Sequence, residues 1–342
     1  MVPTGIGAAI GGYAGDAIPV ARTLSVVCDR IITHPNVLNG AQLYWPIPNT
    51  WYVEGYGLDQ FAAGRWGLRP VHQNRIGVVL DQAIEPDLHL RHLQAIDAAR
   101  ATLGVSITDV CITDTPLGVT LKTADSGATW GTLDHPDSLL RAVEHLITDR
   151  NASAIAVVAR FPDDLDSDAL QAYRQGQGVD ALAGAEAVIS HLVVQQFQIP
   201  CAHAPALSPL PLDPHLNPRA AAEELGYTFL PSVLVGLSQA PQFISDSGQP
   251  TDLWQDQVDA VVVPASACGS GAILSLNPTQ AHIITVAENT TTMNATTQSL
   301  GIDSIPVQSY AAAVGVLAAL KAGVDEKTLR PAIPPLVPHN LL

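Results

Sequence analysis

Asp259-Ala-Val-Val-Val-Pro-Ala-Ser-Ala-Cys268-Gly-Ser-Gly271-Ala-Ile-Leu274 joins a run of β-branched residues to a turn built from small ones. The run reads as a strand buried on both faces, and such strands belong to parallel sheets covered by helices. Ligands collect outside the carboxyl ends of those strands, where glycines let the backbone approach a phosphate or carboxylate. The turn is therefore the first site candidate, with Cys268 as a thiol nucleophile and Ser266, Gly269, Ser270 and Gly271 as anion ligands. Downstream, a second strand over 281–287 delivers the polar block Glu288-Asn289-Thr290-Thr291-Thr292. Polar residues placed directly after a buried strand fit the same rim, with Glu288 as an acid or base and Asn289, Thr290 and Thr291 as ligands.

Upstream, strands and helices alternate. Arg75-Ile-Gly-Val-Val-Leu-Asp81 reads as a strand, 88–103 as a helix, and 109–114 as a strand ending at Asp114. A helix over 136–149 then leads to a strand over 154–159 that ends at Arg160, a residue suited to clamping a carboxylate or phosphate, or to pairing with the aspartates that follow it. This alternation predicts an α/β fold with mainly parallel sheets. Past an acidic, polar stretch at 162–178, the order of features restarts. A helix from 178 to 195 is followed by a short strand over 197–201 ending Cys201-Ala-His203. Earlier, a Gly-rich segment, a helix and a strand precede His34-Pro-Asn36 in the same order. The expected architecture is two similar Rossmann-like lobes, 1–165 and 175–342, whose strand ends face each other across a central cleft. The Gly-rich segment at 4–12 has no strand before it and lacks the dinucleotide spacing, so it is weak as a nucleotide motif.

Composition bounds the function. The 342 residues carry a net charge of −16, with 47% hydrophobic and only 14% charged residues. Such a charge repels nucleic acid and anionic lipid headgroups, and no basic cluster offsets it. No apolar run reaches the roughly 18 residues of a membrane span, and no basic segment precedes an apolar one at the start, so a cytoplasmic protein without membrane insertion is expected. Four dispersed cysteines without a Cys-x-x-Cys pair fit reduced thiols. The excess of apolar residues predicts a homo-oligomer. The aromatic stretch 44–72, read as irregular, and the Pro-rich tail 331–342 are its expected contacts.

Cys201, His203 and Cys268 would assemble in one site if the lobes face each other, with His203 as the base that ionises a thiol. His34 and Asn36, in a turn after a strand, join the ligand-binding set, although a lone His in a turn is also a common structural residue. Two thiols on opposite lobes resemble the cofactor-independent racemases of the aspartate/glutamate type. Those enzymes carry Asn-Thr after the first Cys and Thr-His after the second, and this chain has neither. Cys201, His203 and His191 as zinc ligands would need a fourth donor that is not visible nearby, so no metal is assigned.

Pro3-Thr-Gly-Ile-Gly-Ala-Ala-Ile-Gly-Gly12, Thr33-His-Pro-Asn-Val-Leu-Asn-Gly40, Ala187-Val-Ile-Ser-His-Leu192 and Pro264-Ala-Ser-Ala-Cys-Gly-Ser-Gly271 resemble an uncharacterised family of cyanobacteria and plastids, domain of unknown function number 3326. The resemblance spans nearly the whole chain and implies a photosynthetic cell, but no activity, cofactor or catalytic residue. The Gly-rich loops are also similar to those of nicotinate-nucleotide phosphoribosyltransferases, which implies phosphate binding. The expected function is an enzyme, isomerase- or racemase-like or a transferase, that binds a small anionic metabolite and uses thiol or acid/base chemistry. The alternatives are a non-catalytic metabolite sensor and a glycosyl- or phosphoribosyl-type transferase. The cofactor is unknown.

Overall fold

The computed structural model describes residues 1–338 apart from 4–16, 36, 39–42, 44, 124–128, 164–167, 178–181, 226–229, 247 and 292. In chain order the elements that matter begin with α1 (Ile18–Val27), β1 (Ile31–Thr33), β2 (Thr50–Tyr52), α2 (Gly55–Ala62), β3 (Gly67–Arg69), β4 (Ile76–Leu80), α3 (Pro86–Leu103) and β5 (Ile107–Ile112). A hairpin of β6 (Val119–Thr123) and β7 (Thr129–Leu133) precedes α4 (Pro136–Thr148) and β8 (Ala154–Arg160). Then come α5 (Asp168–Arg174), α6 (Ala183–Phe197), β9 (Cys201–Ala206), α7 (Pro218–Leu225), α8 (Leu230–Ser238) and β10 (Gln242–Ile244). The last elements are β11 (Ala260–Pro264), α9 (Gly271–Leu276), β12 (His282–Val286), α10 (Thr297–Leu300), β13 (Ile305–Val307) and α11 (Tyr310–Lys321). The fold is mixed α/β with mainly parallel sheets, as the alternation of apolar runs and helical segments predicts.

One sheet has the order β5-β4-β8-β9, all parallel. Its two-residue period sorts side chains cleanly between two cores. Ile76, Val78, Leu80, Ala154, Ala156, Val158, Ala202 and Ala204 pack with Ile96 and Ala99 of α3 and with Leu230, Val233, Leu234 and Leu237 of α8. Val79, Ile155, Val157 and Cys201 point the other way, onto Leu139, Val143 and Leu146 of α4 and Ile189, Val193 and Val194 of α6. The chain passes through the acidic stretch at 162–178 while remaining in this sheet, since β8 precedes that stretch and β9, which pairs with β8, follows it.

A second set of parallel strands runs β11-β12-β13, and β1 pairs with β2. Met1 and Val2 lie between these ladders and join them. Met1 N donates to Ala260 O at 2.7 Å, Val262 N to Met1 O at 3.0 Å, and Val2 N to Ile32 O at 2.9 Å. The Gly-rich segment therefore does follow strand-paired residues, against the sequence reading, because two residues are too few to leave a periodic pattern. The connectivity reverses between Val2 and β11, and the strands on either side of that reversal carry their carboxyl ends to one edge. Helices cover both faces here too. Val262, Ile284 and Val286 pack with Leu24 of α1 and Ala313, Val316 and Leu317 of α11, while Val261, Val263 and Ile283 pack with Ala272, Ile273 and Leu276 of α9.

Three readings of detail are corrected. The stretch 44–72 is not irregular: it contains β2, α2 and β3, and Trp51 and Tyr52 are buried within the chain itself. The strand expected at 197–201 begins at Cys201 instead, because α6 runs on to Phe197, so His203 lies inside β9 and not beyond it. Most of the stretch 226–236, expected as a connection, falls in α8, whose described positions are largely buried.

The start of β4 is held to α8 and β10 by one side chain. Asn74, 1% exposed, donates from Nδ2 to Leu237 O and Ala240 O, both at 2.8 Å, and accepts at Oδ1 from Gln242 Nε2 at 2.7 Å. Asn74→Ala leaves these buried groups unpaired, at about 1–3 kcal/mol for such a loss. We expect a correspondingly lower urea midpoint; an unchanged midpoint would show that the three contacts are dispensable.

Candidate active site

The carboxyl edge of the β1–β2 pair carries a group of titratable side chains. β1 ends at Thr33 and hands directly to His34, while β2 ends at Tyr52 and leads through Val53 to Glu54, the residue that starts α2. Glu54 has extended backbone and caps the helix, accepting from Tyr56 N at 2.8 Å and Gly57 N at 3.3 Å. A carboxylate suits this position because it satisfies orphan N–H groups and meets the positive end of the helix. Glu54 is only 3% exposed. Its other oxygen, Oε1, lies 2.8 Å from His191 Nε2 on α6.

Gly55 makes the close approach feasible. A Cβ there would sit 2.9 Å from His191 Nε2 and 3.2 Å from His34 Nε2, so both imidazoles turn the same nitrogen toward one bare Cα. Deeper in, the alternation of β9 directs His203 to the face covered by α6. His203 Nδ1 is 3.0 Å from Ser190 Oγ, and its Nε2 is 3.6 Å from Glu186 Oε2. Tyr52 completes the group. It is 3% exposed, its ring lies where a Cβ on Gly236 would touch it, and its buried hydroxyl has no hydrogen-bond partner among the described residues.

The electrostatics separate the two imidazoles at the edge. Burial, followed by the proximity of His191 and His203, holds His34 well below the ordinary histidine range. Burial opposes the imidazolium of His191 as well, but the contact and charge of Glu54, with Asp59 behind it, raise His191 above its ordinary value. Burial, then Cys201, Glu186 and Glu54, push the Tyr52 hydroxyl up, so it remains a neutral donor. Around neutral pH His34 is therefore a neutral imidazole, and beside it stands His191, whose protonated form Glu54 favours; such a pair can accept a proton at one atom and supply it at another.

The other sequence candidates divide between this edge and separate places. Ser266, Glu288, Asn289, Thr290 and Thr291 lie along the carboxyl edge of β11 and β12, on the same set of strands as His34. Ser266 Oγ and Thr291 Oγ1 are 2.8 Å apart, Asn289 Nδ2 donates to Tyr310 Oη at 2.8 Å, and Glu288 Oε1 accepts from Tyr310 N at 3.1 Å. Ser270 caps α9 through Ile273 N, and Gly269 packs where a Cβ would meet Ala295 Cβ at 3.1 Å. At Gly271 a Cβ would fall 3.1–3.2 Å from the carboxylate of Asp59, so the anion facing this turn belongs to the chain itself. Asn36 lies outside the described residues.

Cys268 is fully buried, with its Sγ 3.6 Å from the carbonyl oxygens of Pro264 and Ala265. Burial raises both its pKa and that of Cys201, which is unfavourable to a thiolate. The two thiols also belong to different hydrophobic clusters, so they do not face each other. On the first sheet, Arg160 is held by Asp163 and Glu85, and Asp114 by Arg141 and Ser138. Among the described residues no group of three or more His, Cys, Asp or Glu is arranged to hold a metal. His191 contacts Glu54, and His203 contacts Ser190 and Glu186.

Sequence reading missed Glu54, Tyr52 and Glu186 and considered His191 only as a zinc ligand. The available signal was Tyr52-Val-Glu54-Gly55, a carboxylate set immediately before a glycine at a helix start. Its meaning depends on α6, which lies more than a hundred residues away.

No solved structure matches this chain. An uncharacterized lipoprotein of Synechococcus sp. (strain ATCC 27144 / PCC 6301 / SAUG 1402/1) is 59% identical over 332 residues, covering 97% of this chain and 92% of that protein. This finding overturns the expected cytoplasmic location, since the relative is named a lipoprotein; among the described residues no helix is long and apolar enough to cross a membrane. The family described as "Protein of unknown function (DUF3326)" matches residues 1–330, and with that match over nearly its whole length the chain belongs to this family.

Proposed function

We propose that the protein is an acid–base enzyme acting on a small polar metabolite bound at the carboxyl edge of β1 and β2. His34 is the proton acceptor, His191 the proton donor, and Glu54 the residue that orients and charges His191. The observation that carries this reading is the opposite displacement of two imidazoles whose Nε2 atoms converge on Gly55. Proton transfer between positioned groups contributes typically 10²–10⁴-fold to a rate. Isomerisation, which removes a proton at one atom and returns one at another, fits such a pair. The Rossmann-like, two-lobed arrangement with a central cleft belongs to the same proposal: α2 contacts both α6, which covers the first sheet, and α9, which covers the second. A cleft between the sheets would open beside His191, whose side chain is 42% exposed.

The test is incubation of the purified protein with a defined metabolite mixture, with depletion and product formation followed by mass spectrometry. Turnover should be lost by about 10²–10⁴-fold in His191→Asn and in His34→Gln, and retained in Cys268→Ser. Loss in Cys268→Ser alone would transfer the chemistry to the thiol, and saturable binding without turnover would favour a metabolite sensor. The rate should form a plateau that spans the ordinary histidine value. Its acid limb belongs to His34 and lies below the ordinary histidine value, while its alkaline limb belongs to His191 and lies above that value.

The same displacements appear in stability. Below about pH 6.5, the ordinary histidine value, the unfolded chain protonates His34 while the folded chain resists, so folding loses stability as pH falls. His191 acts with the opposite sign. Its contribution is complete below the unfolded value and disappears as pH rises through the raised folded value. Urea midpoints measured from pH 8 to pH 5 should fall less steeply for His34→Gln than for the parent chain. Equal slopes would contradict a neutral His34.

A further inference from the structure

Beyond the carboxyl end of α2, away from the imidazoles, lies a cavity of about 670 Å³, within the roughly 300–1,000 Å³ of small-molecule pockets. Gly64 lines it after α2, Ser245 and Asp246 line it after β10, and residues between Gln249 and Gln257 complete the wall. The antiparallel pair β3–β10 supports it, and Leu253 adds to that pairing by exchanging backbone hydrogen bonds with Leu68, both at 2.8 Å. Asp252, its side chain 1% exposed, fixes the loop. Its Oδ1 accepts from Arg69 Nε at 2.8 Å, and its Oδ2 from Arg69 Nη2 at 2.7 Å, Gln249 N at 2.9 Å and Gly248 N at 3.2 Å. Gln255 Nε2 donates to Ala62 O of α2 and to Ser275 O of α9. A glycine at position 64, with φ +69°, leaves room for this amide, since a Cβ there would fall 2.9 Å from Gln255 Oε1.

Other groups in the wall are left over by the chain itself. Asp246, Gln249 and Asp256 are exposed, and their side chains make no hydrogen bond or ion pair among the described residues. Ser245 Oγ accepts from Gln198 Nε2 at 2.8 Å and keeps its own proton to donate. Gln257 Oε1 accepts from Trp254 N at 2.8 Å, which leaves its Nε2 as a donor. Trp254, partly buried, is braced where a Cβ on Gly67 would meet its Cε2 at 2.7 Å, so its ring gives the wall a rigid apolar surface. No lysine or arginine lines the cavity, and the fork of Arg69 is taken by Asp252, so a phosphate or carboxylate finds no partner. Asp246 and Asp256 stay in water, where an ammonium would gain little from them. One indole among amides and carboxylates is also too little apolar surface for a hydrophobic ligand.

The geometry points to a second binding site that takes a neutral saccharide, its C–H face against Trp254 and its hydroxyls bonded to Asp246, Gln249, Asp256 and Gln257. A sugar hydroxyl both donates and accepts, which matches carboxylates that only accept beside amides that do both. Because Asp252 and Gln255 are already satisfied within the chain, the ligand has little of the wall to order on binding. The site is independent of the acid–base reading, since none of His34, Glu54 and His191 lines the cavity.

Calorimetric titration of the full chain tests it, with maltotriose, cellotriose, chitotriose and raffinose as probes and putrescine and inorganic phosphate as the cationic and anionic comparisons. At least one saccharide should bind saturably, and about 10-fold or more tightly than putrescine or phosphate. Gln249→Ala combined with Asp256→Ala should weaken that binding by about 10-fold or more. The urea midpoint of this double variant should match the parent's, because neither side chain has a partner among the described residues. The saccharide should also shift the tryptophan emission, and Trp254→Phe, which keeps an aromatic plate, should remove that shift. His34→Gln, at the acid–base edge, should bind the saccharide with parental affinity, so the two sites succeed or fail separately. No saturable saccharide binding, equal or tighter binding of putrescine or phosphate, or unchanged affinity in the double variant would overturn the inference. So would an emission shift that persists in Trp254→Phe, or a loss of saccharide binding in His34→Gln.

Discussion

A carboxylate that is 3% exposed has to be compensated, and the way Glu54 is compensated ties the start of α2 to α6. One oxygen accepts the first free N–H groups of α2, and the other contacts His191 on α6. Neither partner suffices alone. The helix start supplies only partial charge, and an imidazole supplies a full charge only when protonated. The two constraints meet at Gly55, where even a methyl group would displace both imidazoles. One turn further on, the same eight-residue helix brings Asp59 to the start of α9. A short helix thereby carries contacts to the coverings of both sheets, and its N-cap is also the centre of the site.

Much of the architecture was legible because parallel strands covered on both faces leave continuous apolar runs. β4, β8, β11 and β12 are such runs, and they were identified nearly to their ends. The long helix α3 and the amphipathic α4 were equally plain, each beginning with a proline in its first turn. What escaped was short or locally contradictory. β1, β2 and β3 have three residues each, too few for a period to declare itself. In α8 a proline and a glycine within an apolar segment imitate a connection, and burial against the first sheet overrides both. The strand role of Met1 and Val2 is wholly non-local, since their partners are residues 31–33 and 260–262.

The candidate site shows the same division between local and distant information. His34 and the polar blocks after β11 and β12 could be found because each follows a buried strand, and parallel pairing sends those ends to one edge. Glu54 could not be weighed in that way. Its neighbours in sequence mark a helix start, and only the return of the chain through α6 turns a cap into half of an ion pair. Arg160 illustrates the converse. A lone arginine at a strand end resembles an anion clamp until Glu85 and Asp163, both local in the fold, are seen to use its fork.

Burial accounts for the shift of emphasis from sulfur to nitrogen. Low polarity disfavours whichever form of a group is charged, so the same environment suppresses the thiolate of Cys268 and Cys201 and the imidazolium of His34. For a thiol nucleophile that suppression removes the reactive species. For a general base it preserves the reactive species, because neutral imidazole is the proton acceptor. His191 escapes the trend because Glu54, with Asp59 behind it, stands against it. One buried carboxylate thus makes two otherwise similar rings unequal, and that inequality is what acid–base chemistry at a single edge requires.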